Sequence, residues 1–216
     1  MNPALVGVAL AVAVGALVAG SARNARTAIL GLVATVVAAP ALADPLPGSL
    51  GLAARLVAAI LAGYLLWVAT RGPRLRTGGS LVGWPTDAFL AAGAAVVGYG
   101  SHGLGAPAAG PALASAAGFA LAALALVPIA TGRDVLRVGI GLGLLISGAL
   151  LVREGLGGTP DALEELLTAG LVATLGGAIA ILAITARSDG RADFEMSTTV
   201  PNRSSHVAEP QPLGRR

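Results

Sequence analysis

The chain has 216 residues, of which 55% are apolar and only 12% are charged, and its formal net charge is +3. Its mean hydropathy of +0.81 is higher than a water-soluble domain of this length tolerates. The absence of cysteine excludes disulfides, iron–sulfur clusters and thiol chemistry. These values predict a polytopic membrane protein.

The residues that carry chemistry are few and scattered. His102 and His206 are far apart, and no His, Asp or Glu cluster has the spacing of metal ligands. All the basic residues are arginine, and they are not interleaved with aromatic side chains as in a nucleic-acid site. We therefore predict no catalytic residue, no cofactor, no metal and no nucleic-acid partner, and we expect the lipid bilayer to be a partner.

Long apolar segments set the fold class. A spanning helix needs about 17–25 mostly apolar residues, and continuous apolar runs exclude the alternating pattern of a membrane β-barrel. Seven stretches qualify: 3–20, 27–43, 50–70, 88–104, 110–131, 135–152 and 166–186. We predict an all-α membrane protein with about seven transmembrane helices. The fourth stretch is the weakest, and a partly re-entrant segment is the alternative.

The arginines predict the orientation. They occupy every second connection, at Arg23 and Arg26, then 71–76, then 133–137, then the tail from Arg187. Positively charged loops stay in the cytoplasm, so the N-terminus is expected outside and the C-terminus in the cytoplasm of a cell that carries this chain in its cytoplasmic membrane. The polar tail 187–216 is expected to be disordered.

Two segments allow a second interpretation. Residues 23–48 resemble a secretory signal with an A-x-A-like cleavage site, but the full apolar segment in front of them favours an internal transmembrane helix over a mis-assigned start. Arg55 lies five residues into the third span, about 7.5 Å deep. It either extends back to the membrane surface or forms a buried pair with an acid such as Asp44.

The stretch "TGRDVLRVGIGLGLLISGALLV" (131–152) begins with charges and continues as an apolar segment with several glycines. Thr131 and Asp134 have the spacing of a capping box, and the two arginines can contact lipid phosphates. No strand precedes the glycines, so a nucleotide-binding loop is excluded, and close packing of helices is expected instead. The residues with these expected roles are Arg133, Asp134, Arg137, Gly139, Gly141, Gly143, Gly176 and Gly177.

From about residue 110 onward, this order of features resembles the three-helix K-type subunit of respiratory complex I. It also resembles the C-type subunit of multisubunit cation/proton antiporters and the end of the E-type membrane subunit of hydrogenase-4 and formate-hydrogenlyase-like complexes. Arg133 to Arg137 and "IGL" at 140–142 match the family's second helix. The resemblance divides the chain into four N-terminal transmembrane helices (1–109), a three-helix unit (110–186) and the tail (187–216).

The chain departs from the family at the acids. The complex I subunit carries a glutamate in each of its last two helices, whereas Gly143 and Thr174 occupy these places here. The predicted spans contain no Asp, Glu or Lys, so we expect a non-catalytic membrane subunit that packs beside ion-conducting subunits of a larger complex. A stand-alone small-molecule transporter and a structural or assembly protein are the alternatives.

Three acids, Asp161, Glu164 and Glu165, precede the last predicted span. Thr159 followed by Pro160 has the pattern of a helix N-cap with proline at the first helical position. The acids then lie in the first turns, where the helix dipole favours negative charge. An entrance to an ion channel is the alternative function for them.

The orientation is tested with reporter fusions. A reporter that is active only in the cytoplasm is expected to be active when fused after Arg187 and silent when inserted at 155–158, because the arginine-rich connections stay inside. A second reporter that is active only outside the cytoplasm, inserted at the same two points, controls for expression and is expected to show the opposite pattern. The reverse pattern of activity would show that the orientation is wrong.

Overall fold

The computed structural model describes residues 3–43, 46, 48–71, 83–103, 111–158 and 160–188, and in these residues it contains seven α-helices and no strand. A 3₁₀ turn, Ala39–Leu42, extends the second helix. The helices are α1 (Pro3–Ser21), α2 (Ala25–Ala38), α3 (Ser49–Ala69), α4 (Trp84–Gly103), α5 (Pro111–Thr131), α6 (Val135–Gly157) and α7 (Ala162–Ser188).

Six of these described helices are long and apolar enough to cross a membrane, and the exception is α4. Helix α4 has 20 residues, but glycine, serine and histidine in its second half lower its hydropathy. The exterior carries large apolar side chains, with Phe89 78% exposed and Val96 71% exposed. The prediction of an all-helical fold is confirmed for the described residues, and the six long apolar helices agree with a multi-pass membrane protein.

The last two helices are longer than the sequence predicted. Helix α6 continues beyond 152 to Gly157, and α7 begins at Ala162 instead of 166. Their connection is therefore only a few residues long, and Glu154, Glu164 and Glu165 belong to the helices. The helices thus carry acids near their ends, beyond the bounds of the predicted spans.

The caps at these two helices also differ from the predicted ones. Asp134 is the N-cap of α6 and accepts a hydrogen bond from the backbone N of Arg137 at 2.6 Å. Thr131 instead donates its hydroxyl to Val127 O at 2.8 Å, so the predicted capping box of Thr131 and Asp134 does not form. Thr131 is still within α5, where a backbone carbonyl one turn back is the nearest acceptor.

At the start of α7 the capping residue is Asp161. Its carboxylate accepts from the backbone N of Glu164 at 2.8 Å, and its own backbone N donates to the Glu164 carboxylate at 3.3 Å. This reciprocal pair is a capping box. Pro160 precedes the helix and is not its first residue, which corrects the prediction, and Thr159 lies outside the described residues.

The helices form one up-and-down bundle. Each consecutive pair is antiparallel, and the chain of contacts runs from α1 through α2, α3, α7, α6, α5 and α4 back to α1. Contacts of α1 with α5 and of α2 with α6 cross the interior of this ring. The first four helices and the last three therefore share one core, and the most extensive packing is between α5 and α6.

Small residues permit this packing. A Cβ on Gly148 of α6 would lie 2.7 Å from Gly118 O and 2.8 Å from Ala122 N of α5. A Cβ on Gly118 would meet Gly148 O at 2.6 Å. The two backbones are thus in direct contact, as small residues allow in membrane helices.

The glycines of the sequence motif contact different neighbours. An added Cβ on Gly139 would meet Ile179 of α7 at 2.5 Å, one on Gly141 would meet Ile129 of α5 at 2.6 Å, and one on Gly143 would meet Leu32 of α2 at 3.2 Å. In α7, a Cβ on Gly176 would meet Ala62 of α3 at 2.5 Å, whereas one on Gly177 meets only Leu65, at 3.8 Å. Helix α6 is therefore surrounded by three helices, and its glycines do not form one seam.

Some predictions fall on residues that the structure does not describe. They are the tail beyond Ser188, the connection 104–110, Arg74, Arg76 and Asp44. The predicted tail began at residue 187, but α7 includes the backbone of 187 and 188.

The contact between α5 and α6 is tested with an alanine at Gly148. Gly148→Ala is expected to destabilise the protein by roughly 1–3 kcal/mol, because the new methyl group meets backbone atoms that cannot move independently. Denaturant unfolding in detergent, followed by circular dichroism, measures the change. Gly170→Ala is the control, because nothing lies within 4 Å of a Cβ there. Equal stability of both variants would contradict the close contact.

Candidate functional site at the two ends of the bundle

Charged side chains are buried at both ends of the bundle. We call the end that carries Arg23, Arg26, Arg71, Arg133 and Arg137 the basic end, and the end that carries Glu154, Asp161, Glu164 and Glu165 the acidic end. Burial of a charge is unfavourable unless an opposite charge and hydrogen bonds compensate it. In a membrane protein such residues are the first candidates for a functional site.

At the basic end, Arg137 joins three helices. Its guanidinium forms an ion pair with Asp87 in the first turn of α4 and donates to Gly20 O of α1 at 3.1 Å. Asp87 is 0% exposed and Arg137 is 6% exposed. The Gly20 carbonyl belongs to the last turn of α1, where carbonyl groups lack partners within the helix. One guanidinium therefore contacts both an acid and a helix end, while Oδ1 of Asp87 and Nε of Arg137 have no hydrogen-bond partner in the described residues.

This arrangement corrects the prediction for Arg137, which was expected to contact lipid phosphates. Its side chain points into the bundle because α1 and α4 place an acceptor and an acid there. Arg133 is exposed and remains available to the membrane surface. Arg26, also exposed, lies over the ring of Trp67, with 5.4 Å between the guanidinium carbon and the ring centroid, which is a cation–π distance.

At the acidic end, Arg55 of α3 forms an ion pair with Glu154 in the last turns of α6. Their side chains are 10% and 3% exposed, so extension of Arg55 to the membrane surface is wrong and burial as an ion pair is correct. The partner is Glu154, which the sequence had placed in a loop. Asp44, the acid named from the sequence, lies outside the described residues.

Glu165 of α7 is the second buried acid at this end, with 2% exposure. Its carboxylate occupies the place where a side chain on Gly51 of α3 would be, so the glycine makes room for it. Glu165 is near enough to Glu154 for their charges to interact. Among the described residues, neither carboxylate oxygen of Glu165 has a hydrogen-bond donor.

The other two acids of this end lie at its rim. Glu164 forms an ion pair with Arg153, and their side chains are 46% and 41% exposed. Asp161 is exposed and caps α7. The structure thus separates the three acids that the sequence treated together: Asp161 and Glu164 have local structural roles, whereas Glu165 is inside the bundle.

Two small cavities extend from the Arg55–Glu154 pair into the bundle. Each has a volume of about 30 Å³, room for about one water molecule. The first is lined by Arg55, Glu154, Ser147 and Thr168 together with apolar side chains, and the second lies deeper between α2, α3, α6 and α7. Both border Ser147. Apart from that hydroxyl, the side chains around the second cavity are apolar.

The middle of the bundle carries no charge. Along α6, Arg137 and Glu154 are separated by about 25 Å at 1.5 Å per residue. No described side chain of Asp, Glu, His or Arg lies in the membrane between the two ends. Within the described ranges, no three His, Asp or Glu side chains come together as a metal site would require. The charged groups are therefore two separate sites and not one continuous path.

Sequence reasoning missed Asp87 and Glu154. Each lies just beyond a boundary drawn from hydropathy, and each was assigned to a connection. The signal was present in their partners, because an arginine within an apolar span requires an acid of similar depth on another helix.

No protein-family model, curated protein or solved structure matches this chain. The fold and the buried ion pairs give the class: a helical protein of the multi-pass membrane type, with two buried arginine–carboxylate pairs among its described residues and large apolar side chains on its exterior.

The ion pair at the basic end is tested by removal of one charge. Asp87→Asn is expected to cost roughly 3–5 kcal/mol, because it leaves Arg137 as an uncompensated buried charge. The double variant Asp87→Leu with Arg137→Met is expected to recover most of this loss. Denaturant unfolding in detergent measures both, with Arg133→Gln at an exposed position as the control. Full stability of Asp87→Asn would show that Arg137 does not depend on it.

Proposed function

We propose that this chain is a non-catalytic integral membrane subunit of a complex-I-like or hydrogenase-type ion-translocating oxidoreductase, or of a cation/proton antiporter. It lies in the cytoplasmic membrane, with the acidic end outside and the basic end in the cytoplasm. All seven helices cross the membrane, α4 included, and the chain packs beside subunits that conduct ions.

The observation that carries this proposal is the uncharged middle of the bundle. A proton path needs protonatable groups, or water held by polar groups, at short intervals. Here the described charges stop at the two ends. The two cavities near Ser147 have room for about one water molecule each, and the larger cavity between α1, α4 and α5 is lined by apolar side chains and Tyr99. The ion pairs hold helices together, which suits a structural subunit better than a conductor.

Two features support the finer parts of the proposal. The antiparallel order of the helices, with Asp87 at one end of α4 and Gly98 beside Phe119 of α5 towards the other, is consistent with a crossing by α4. Gly143, at the place of the family's first glutamate, faces Leu32 of α2 and leaves no acid there. A cavity of about 330 Å³ between α1, α4 and α5 is large enough for a small organic molecule, but its lining is apolar apart from Tyr99 and holds no charged side chain. A stand-alone transporter is therefore less well supported, because this cavity offers a substrate almost no polar contact.

Affinity purification in a mild detergent tests the proposal. The tagged full-length chain is expected to elute with several other integral membrane proteins, including a multi-span ion-conducting subunit, and mass spectrometry identifies them. A tagged multi-pass protein of similar abundance from the same membrane is the control for non-specific recovery. Elution alone, together with substrate uptake by liposomes that contain only this chain, would overturn the proposal in favour of a transporter.

A further inference from the structure

The buried charges at the acidic end do not balance. Arg55 supplies one positive charge, whereas Glu154 and Glu165 supply two negative charges when both are ionised. The basic end differs, because there Arg137 and Asp87 balance. One carboxylate at the acidic end is therefore in excess.

The excess negative charge at the acidic end coincides with buried polar atoms that lack a hydrogen-bond partner. Buried atoms without a hydrogen-bond partner occur in both ion pairs, at Oε2 of Glu154 and Nε of Arg55 as well as at Oδ1 of Asp87 and Nε of Arg137, and also at Nη1 of Arg153. Glu165 differs from these, because neither of its carboxylate oxygens has a hydrogen-bond partner in the described part of the chain. Arg55 and Glu154 border a cavity with room for about one water molecule. Buried polar atoms are almost always satisfied, and a buried unpaired carboxylate is strongly unfavourable unless its charge is neutralised. A bound positive charge would remove this penalty.

We propose that Glu165, with Glu154 and Arg55, forms a binding site for one monovalent cation at the acidic end of the bundle. The cation is a proton or an alkali-metal ion, which compensates the excess carboxylate. Binding of the cation stabilises the packing of α7 against α3 and α6. The inference does not depend on the partners assigned to the chain.

The surroundings make this an enclosed site. Helix α3 contributes Arg55 and the bare backbone of Gly51, and α6 contributes Glu154. The remaining charges nearby, Arg153 and Glu164, neutralise each other at the rim. The second helix and its 3₁₀ turn present only apolar side chains to the cavity, namely Val36, Ala39 and Pro40. The other positive charge near Glu154 is Arg153 of α6, which is already paired with Glu164 at the rim.

The few oxygen atoms available as ligands favour a proton over a metal ion. A metal ion takes several oxygen ligands, and among the described residues no three acidic or histidine side chains converge. Thr168 borders the cavity, but its hydroxyl already donates to Glu165 O at 2.9 Å. A proton needs only one carboxylate oxygen and a neighbouring acceptor.

The test uses the full-length protein in lipid nanodiscs and measures Tm. One series lowers the pH with choline as the only other cation, and a second replaces choline with Na⁺ at constant pH. A ligand that binds only the folded state stabilises it in proportion to the logarithm of its concentration once the site is saturated. We expect Tm to rise as the pH falls if the ligand is the proton, and to rise with Na⁺ if it is the metal ion.

Two variants make the test specific. Glu165→Gln keeps the shape of the side chain without its charge, so it should fold at least as well as the parent and lose the dependence of Tm on the cation. The double variant Arg153→Gln with Glu164→Gln removes both charges of the rim pair, leaves the charge balance around Glu165 unchanged and should keep that dependence. Titration of the other surface acids changes Tm in all three proteins alike. The site is therefore judged from the difference in the dependence of Tm on the cation between the parent and each variant.

The outcomes are distinct. Loss of the cation dependence in Glu165→Gln and its retention in the Arg153→Gln, Glu164→Gln double variant support the site, and the series that shows the rise identifies the cation. The proposal is overturned if the parent shows no dependence, if Glu165→Gln keeps it, or if the double variant loses it as well. Failure of Glu165→Gln to fold also overturns it, because the neutral side chain is the closest analogue of the occupied site.

Discussion

A charge inside a lipid-embedded bundle must be compensated within the bundle, because neither the acyl chains nor the packed helices can solvate it. The positions of α1, α4 and α6 at the basic end follow from this constraint. Arg137 reaches an acid on α4 and a free carbonyl at the end of α1, so these three helix ends meet at one guanidinium. Arg55 and Glu154 join α3 and α6 at the other end in the same way.

Between the charged ends, the bundle is held by close contact of small residues. Lipid tails are as apolar as the helix surfaces, so apolar burial alone gives little preference for protein over lipid. Contact between backbones provides the stabilisation instead, and it is most intimate where Gly148 meets Gly118. The glycines of α6 face three different helices, which places α6 among α2, α5 and α7. The ion pairs at the two ends then determine which helices lie side by side there, because the middle of the bundle has no charged side chains that could do so.

The sequence predicted the helices well because hydrophobic length and the positions of arginine are local properties. Six of the predicted spans correspond to helices that are long and apolar enough to cross a membrane, and the weakest prediction, at 88–104, corresponds to α4, which is less apolar. Helix ends were predicted less well. Hydropathy falls where the first charge occurs, so Glu154 and Glu165 were assigned to a connection, although α6 and α7 continue through them. A buried pair was one of the two alternatives for Arg55, whereas Arg137 was expected at the lipid surface, and neither acid partner was identified.

The sequence by itself determined that this is a helical membrane protein with charges concentrated at alternate connections, because composition and span length leave no other way to satisfy the backbone in lipid. It also determined that the middle of the helices lacks acids. Only the tertiary structure decided which charges are buried and with which partner. Arg137 and Asp87 are 50 residues apart, and Arg55 is far from Glu154 in the chain, so their pairing depends on helix packing that no local pattern encodes. The excess carboxylate of Glu165 became evident only from that packing, since it lies beside a glycine of α3 that gives it room and no counter-charge.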